Sequence, residues 1–271
     1  PPTRLAGERL RPLGHLSVFC RPDRAPGRTD APSQSNRRDP MSLFSEPMTE
    51  AEIIAVLDRA EAAMDRGEGL SGTGFWKAVE EVKRRPDLAS RLGPRIASVD
   101  QRAFRNWALF TVPFRPGLVA ASAVAVSGIA LIAWSARARR PWKWLLFWAG
   151  TGALLGSTHT LGHVAVGRAV GIEFTDWYIG SITRPQPGVK VDYTTYLLTP
   201  AAHRAWMHAA GAIVTKLVPF ALLPAARAAR LPRWSRVALW LLGLGQIATD
   251  LLWSIEKSDW KKFRREMRHA S

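Results

Sequence analysis

Cysteine is almost missing, since the 271 residues contain one, Cys20. A single thiol excludes a disulfide framework and any zinc cluster built on several thiolates. A metal bound by this chain is therefore held by histidine and carboxylate. Acidic residues are also scarce, 22 against 38 Lys and Arg, which leaves a formal net charge of +16. The first forty residues lack both apolar periodicity and the continuous apolar stretch of a signal peptide. They are rich in Pro and Arg and read as a disordered or non-native extension, 1–40, ahead of Met41.

Apolar sequence is abundant, and it is segregated. Net charge is +4 over residues 1–40, −3 over 41–94 and +15 over 95–271, and the last region also holds every long apolar run. A region that is both the most basic and the most apolar reads as a membrane domain with cationic loops rather than a nucleic-acid binder. Segments 117–134, 144–167, 209–226 and 237–255 are each at least 18 residues long. At about 20 residues per span, each approaches or exceeds the length that crosses a bilayer core. Trp134, Trp142, Trp144, Trp206 and Trp234 lie near segment ends, as in an interfacial belt. The partner implied is the lipid bilayer. With four spans, Lys and Arg number fourteen on the side of the termini and eight on the other, which predicts cytoplasmic termini.

The expected fold is an all-α polytopic membrane protein with about four transmembrane helices in 107–255. A small helical soluble region at 41–106 precedes them. There Thr49 and Glu52 form a capping box for a helix over 49–66, and a second helix carries Phe75, Trp76, Val79 and Val82. Segments 172–180 and 189–198 alternate enough to form a β-hairpin after the second span. The tail at 256–271 interleaves aromatic and basic residues and reads as an interfacial helix on anionic lipid.

Four ionisable side chains fall within the spans: His159, His163, Lys216 and Asp250. Each is costly in lipid and needs a reason. The histidines are four apart and share a helix face, so they can grip one metal ion. By helix rise His163, Asp250 and Lys216 lie about 6, 7 to 8 and 10 Å deep from one side, within one layer. Two His and a carboxylate leave a fourth position open, the pattern of catalytic zinc. Equally, Lys216 and Asp250 can neutralise each other across two helices.

At these residues the chain resembles the site-2 protease family of intramembrane zinc metallopeptidases. The family's HExxH reads here His159-Thr160-Leu161-Gly162-His163, followed by Gly171-Ile172. Pro200-Ala201-Ala202-His203-Arg204 and Ala209-Ala210-Gly211 resemble the family's Pro-x-x-Arg and Ala-Gly at its next core helix. The resemblance covers roughly 144–255. It implies zinc held by His159, His163 and Asp250, a β-hairpin beside the site, and a transmembrane protein as substrate or client. One departure is chemical: Thr160 stands where the family has the Glu that acts as general base. A threonine hydroxyl cannot accept and return a proton near neutral pH. Leu251 after Asp250 also departs from the family's Asp-Gly. Three readings stay open. One is a metal-binding relative with weak or absent proteolysis. Another is a working peptidase with Glu173 or Asp176 as substitute base. The third is a scaffold in which Lys216–Asp250 is structural.

Overall fold

A computed structural model describes residues 47–182, 185–253 and 259–270. The 1–40 extension lies outside them. The chain divides into two compact units after Glu81.

The first unit holds α1 (Glu50–Asp65) and most of α2 (Phe75–Val82). Thr49 Oγ1 accepts from the Glu52 amide at 3.3 Å, and Glu52 Oε2 accepts from the Thr49 amide at 2.7 Å. This reciprocal pair is the expected capping box. Ile53, Val56 and Leu57 are buried on one face of the helix. Gly67, at φ 74°, follows the end of the helix in a conformation that favours glycine.

The second unit begins with α3 (Pro86–Trp107), whose first turn carries Pro86. Proline is preorganised there and lacks only an amide that a helix start leaves unpaired. A three-stranded antiparallel sheet follows, ordered β1 (Phe110–Pro113), β2 (Phe174–Ile179) and β3 (Pro187–Val191). The strands at 172–180 and 189–198 expected from sequence are thus found only in part. β3 stops at Val191, because Asp192 caps α6 (Tyr193–Leu198) by accepting from the Thr194 and Thr195 amides. That side-chain cap outweighs the strand preference of the Tyr-Thr-Thr-Tyr run.

The long helices are α4 (Phe114–Ser135), α5 (Trp142–Ala169), α7 (Ala201–Ala221) and α9 (Arg233–Trp253). The short α8 (Leu223–Ala228) and α10 (Asp259–Met267) complete the set. α4 packs on α5, α5 on α7, and α7 on both α9 and α10. Small residues bring the backbones together. A Cβ on Gly150 would lie 2.6 Å from the Gly128 carbonyl oxygen, and one on Gly162 would lie 3.2 Å from that of Ala210. Phe147, Leu154, Leu222 and Leu239 build an apolar cluster among α4, α5, α8 and α9.

Among the described residues two helical stretches, α4 and the run Ala201–Ala228, are long and apolar enough to cross a membrane. Four such helices are expected from sequence. α5, at 28 residues, equals the longer of the two, but Thr151, Ser157, Thr158, His159, Thr160 and His163 dilute its apolar character. In α9, Arg233, Arg236, Gln246 and Asp250 do the same.

Candidate metal centre

His159 and His163 project from one face of α5, one turn apart. Their rings meet edge to face with centroids 4.8 Å apart. Groups on α7 fix each ring from behind. His163 Nδ1 donates to the Met207 carbonyl at 2.8 Å. His159 Nδ1 lies 3.1 Å from Thr215 Oγ1, whose own hydrogen goes to the Gly211 carbonyl at 2.8 Å. The threonine oxygen is therefore an acceptor, and His159 Nδ1 is the donor. In a neutral imidazole the other nitrogen then carries a lone pair, so both Nε2 atoms face forward as ligands.

They face each other and a carboxylate. The two Nε2 atoms are 3.3 Å apart, and Asp259 Oδ2 lies 3.3 Å from His159 Nε2 and 3.4 Å from His163 Nε2. Three electron-pair donors thus form a nearly equilateral triangle. Ligands at about 2.0–2.1 Å from a tetrahedral ion are themselves about 3.3–3.4 Å apart, so the triangle has the dimensions of one face of such a site. His159, His163 and Asp259 are the group among the described residues that could hold a metal ion. The side chain of His163 is 12% exposed and that of His159 is 40% exposed, so the triad is accessible on the His159 side.

Gly211 is part of this arrangement. A Cβ there would lie 2.4 Å from His163 Nε2 and 2.6 Å from the His159 carbonyl oxygen. Only glycine leaves the coordinating nitrogen clear while α7 approaches α5 this closely.

The carboxylate is not the one expected. Asp250 sits on α9 in an ion pair with Lys216, and it accepts from Trp260 Nε1 at 2.9 Å. Lys216 and Trp260 engage its Oδ2, and the carboxylate found beside the histidines among the described residues is a different one. Asp259, the first residue of α10, takes that place. Burial by itself raises the Asp259 carboxyl. The His159 and His163 rings and the nearby Lys262 ammonium outweigh burial and hold it well below the usual carboxylate range. Lys262 Nζ also donates to Asp259 Oδ1 at 3.1 Å.

α10 is held down by buried charge. Glu266, fully buried, accepts from Lys83 Nζ at 2.6 Å and from Arg204 Nε at 2.8 Å. Phe263 meets Trp206 of α7 edge to face at 5.3 Å between centroids. Within the tail, α10 docks on α7 with Asp259, Phe263 and Glu266 on the packed side.

The remaining expected site residues lie elsewhere. Thr160 is 6% exposed, buried within α5. Glu173 pairs with Arg168 at 3.1 Å on an exposed surface, and Asp176 accepts from Gln101 at 2.6 Å. The structure places neither of these proposed bases against the histidines. Lys216 is held by Asp250 and by the Ala212 carbonyl, to which it donates at 3.1 Å. The sequence singles out Gly211 within Ala209-Ala210-Gly211, but not Asp259 or Thr215 as parts of the site. The one available signal for Asp259 was its spacing to Phe263 and Glu266, which puts the three on one helical face.

No protein-family model, curated protein or solved structure gives a significant match to the chain.

Proposed function

We propose that this chain is an integral membrane metalloprotein of the site-2 protease type, holding one zinc ion on His159, His163 and Asp259. The observation that carries the reading is the 3.3–3.4 Å triangle of Nε2, Nε2 and Oδ2 atoms, with both Nδ1 atoms already engaged. Three ligands of this chemistry leave a fourth position free. Zinc, when bound, supplies Lewis-acid polarisation of a carbonyl oxygen.

Peptidase activity is weak or absent on this reading. The residue after the first histidine, Thr160, cannot act as a base near neutral pH. Asp250, Glu173 and Asp176 have other partners. Hydrolysis would need a group that takes and returns a proton, and these carboxylates are committed elsewhere. Binding and orienting a transmembrane client remains compatible with the site.

The membrane reading extends to four spans, α4, α5, α7 with α8, and α9, with both termini on the cytoplasmic side. α5 and α9 have 28 and 21 residues. At 1.5 Å per residue these run about 42 and 32 Å, enough for a hydrocarbon core of about 30 Å. Large apolar side chains stand exposed on α4 (Val119, Val126, Ile129) and on α9 (Leu241, Leu244, Leu251, Leu252). Contiguous exposed apolar surface of this kind is what lipid covers.

Metal analysis of the full chain, purified in detergent and reconstituted with zinc, tests the proposal. One zinc per chain is expected, and H163A should lose it. A metal-free wild type, or an H163A variant with undiminished zinc, would overturn the reading.

A further inference from the structure

At the other end of the bundle α4 turns into α5 and α8 turns into α9. A cavity of about 220 Å³ opens between these two turns, lined by Arg140, Lys143 and Arg230 with Trp144 and Trp234. Lys143 and His159 are 16 positions apart on α5, or about 24 Å at 1.5 Å per residue, so the cavity is separate from the triad.

No carboxylate lines it. Segments 137–143 and 227–236 carry four Lys or Arg each and no Asp or Glu, so neither turn supplies a counter-charge. Arg140, Lys143 and Arg230 make no side-chain hydrogen bond or ion pair among the described residues. Like charges around one small cavity repel, and an anion placed among them reverses the sign of that interaction. Arg230 has φ 50°, the left-handed conformation in which a helix end ordinarily places glycine.

Unpartnered polar atoms surround the same turn. Trp148 stacks on Trp234, with centroids 6.2 Å apart and planes 9° from parallel, and its Nε1 is buried without a partner. Ser235, fully buried, has an unpaired Oγ, and Arg236 Nε is likewise buried and unpaired. Trp148, Ser235 and Arg236 are not among the residues that line the cavity, so they flank it rather than face it.

We propose that this cavity binds the phosphate of an anionic phospholipid. Guanidinium groups suit phosphate oxygens, to which they donate in pairs. The source is a lipid rather than a free phosphate because an apolar stripe leads away from the cavity. Trp234, Val237, Leu241 and Leu244 recur along one face of α9 and are 53%, 49%, 66% and 51% exposed. A phospholipid places its headgroup among the cations and its acyl chains along this stripe. The proposal rests on α5 and α9 being spans, and it is independent of what the triad holds.

Native mass spectrometry of the full chain in neutral detergent tests it, with phosphatidylglycerol, phosphatidylcholine and inorganic phosphate as probes. The wild type is expected to retain phosphatidylglycerol at least tenfold more tightly than either of the others. The triple variant R140Q/K143Q/R230Q should lose that preference, with helix content unchanged. A charge-matched variant outside the cavity lining, R137Q/R139Q/R227Q, should keep it. Equal binding by the cavity variant and the wild type would overturn the site. So would equal loss in both triple variants, which would show diffuse charge attraction instead of a cavity. Inorganic phosphate bound as tightly as phosphatidylglycerol would overturn the lipid assignment. A full chain that stays soluble without detergent would refute the span reading by itself, whatever it binds.

Discussion

The Nε2 atoms of His159 and His163 are available as ligands because other atoms hold the far side of each ring. The Met207 carbonyl can only accept, and Thr215 has spent its proton on Gly211, so each Nδ1 must carry the hydrogen. Removing one of these supports frees a tautomer and a ring rotation without touching a ligand. T215V should lower zinc affinity about 10- to 100-fold, the usual effect of losing a group that orients a ligating histidine. Competition against a chelator of known affinity measures it, and an unchanged value would show that Thr215 does not set the tautomer. The histidine pair was legible in the sequence, because four-residue spacing alone puts two side chains on one helix face. The carboxylate was not. Asp250 lies at a suitable depth in its helix, yet Lys216 lies in the same layer and takes its charge. Which of two aspartates reaches a metal depends on how the last helix docks, and that is a tertiary contact.

α10 carries Asp259, the third member of the proposed site, so its attachment decides whether the three groups meet. Its anchor is Glu266 between Lys83 and Arg204, with side chains that are at most 2% exposed. Removing the carboxylate charge leaves two buried cations without their counter-ion, at a cost of about 3–5 kcal/mol. E266Q should therefore lower the melting temperature and the zinc content together, although residue 266 is not a ligand. Loss of neither would mean that α10 docks by other contacts. The pH dependence has a definite sign. Burial raises the Glu266 carboxyl, but Lys83 and Arg204 outweigh it and hold the folded value below the ordinary 4.5. The stabilisation is thus complete above pH 4.5 and is lost as pH falls through the lower folded value. A melting-temperature series toward acid should show this decline in the wild type and a shallower one in E266Q. Among the elements, α1 could be read from its capping box because all its determinants lie within four residues. β1 and α6 could not. A four-residue strand is defined by its neighbour β2, and α6 depends on a cap formed by Asp192 in a sequence that otherwise favours strand.

Over the whole molecule, the charges cluster in turns and the apolar side chains stand along helices. The cavity brings the turns at 137–143 and 227–236 to one end of the bundle. Four spans would put the turn between β2 and β3 at the opposite end. Replacing Cys20 by Ser and introducing R139C or Q186C singly gives one reporter thiol on each turn. In sealed vesicles a membrane-impermeant thiol reagent should label one of the two variants and spare the other until detergent is added. Equal labelling of both before detergent would contradict four spans. Segregation of charge from apolar runs was visible in sequence because it needs only composition along the chain. The number of spans was less so: four apolar runs are visible in sequence, while two helical stretches among the described residues are apolar enough to cross, because polar side chains interrupt α5 and α9.

The central claim is that Asp259, and not Asp250, completes a zinc site with His159 and His163. Zinc content of D259N and D250N, purified side by side in detergent, tests it most directly. The account predicts that D259N loses the metal while D250N, even if less stable, still binds one zinc per chain. Retention by D259N together with loss by D250N would contradict it.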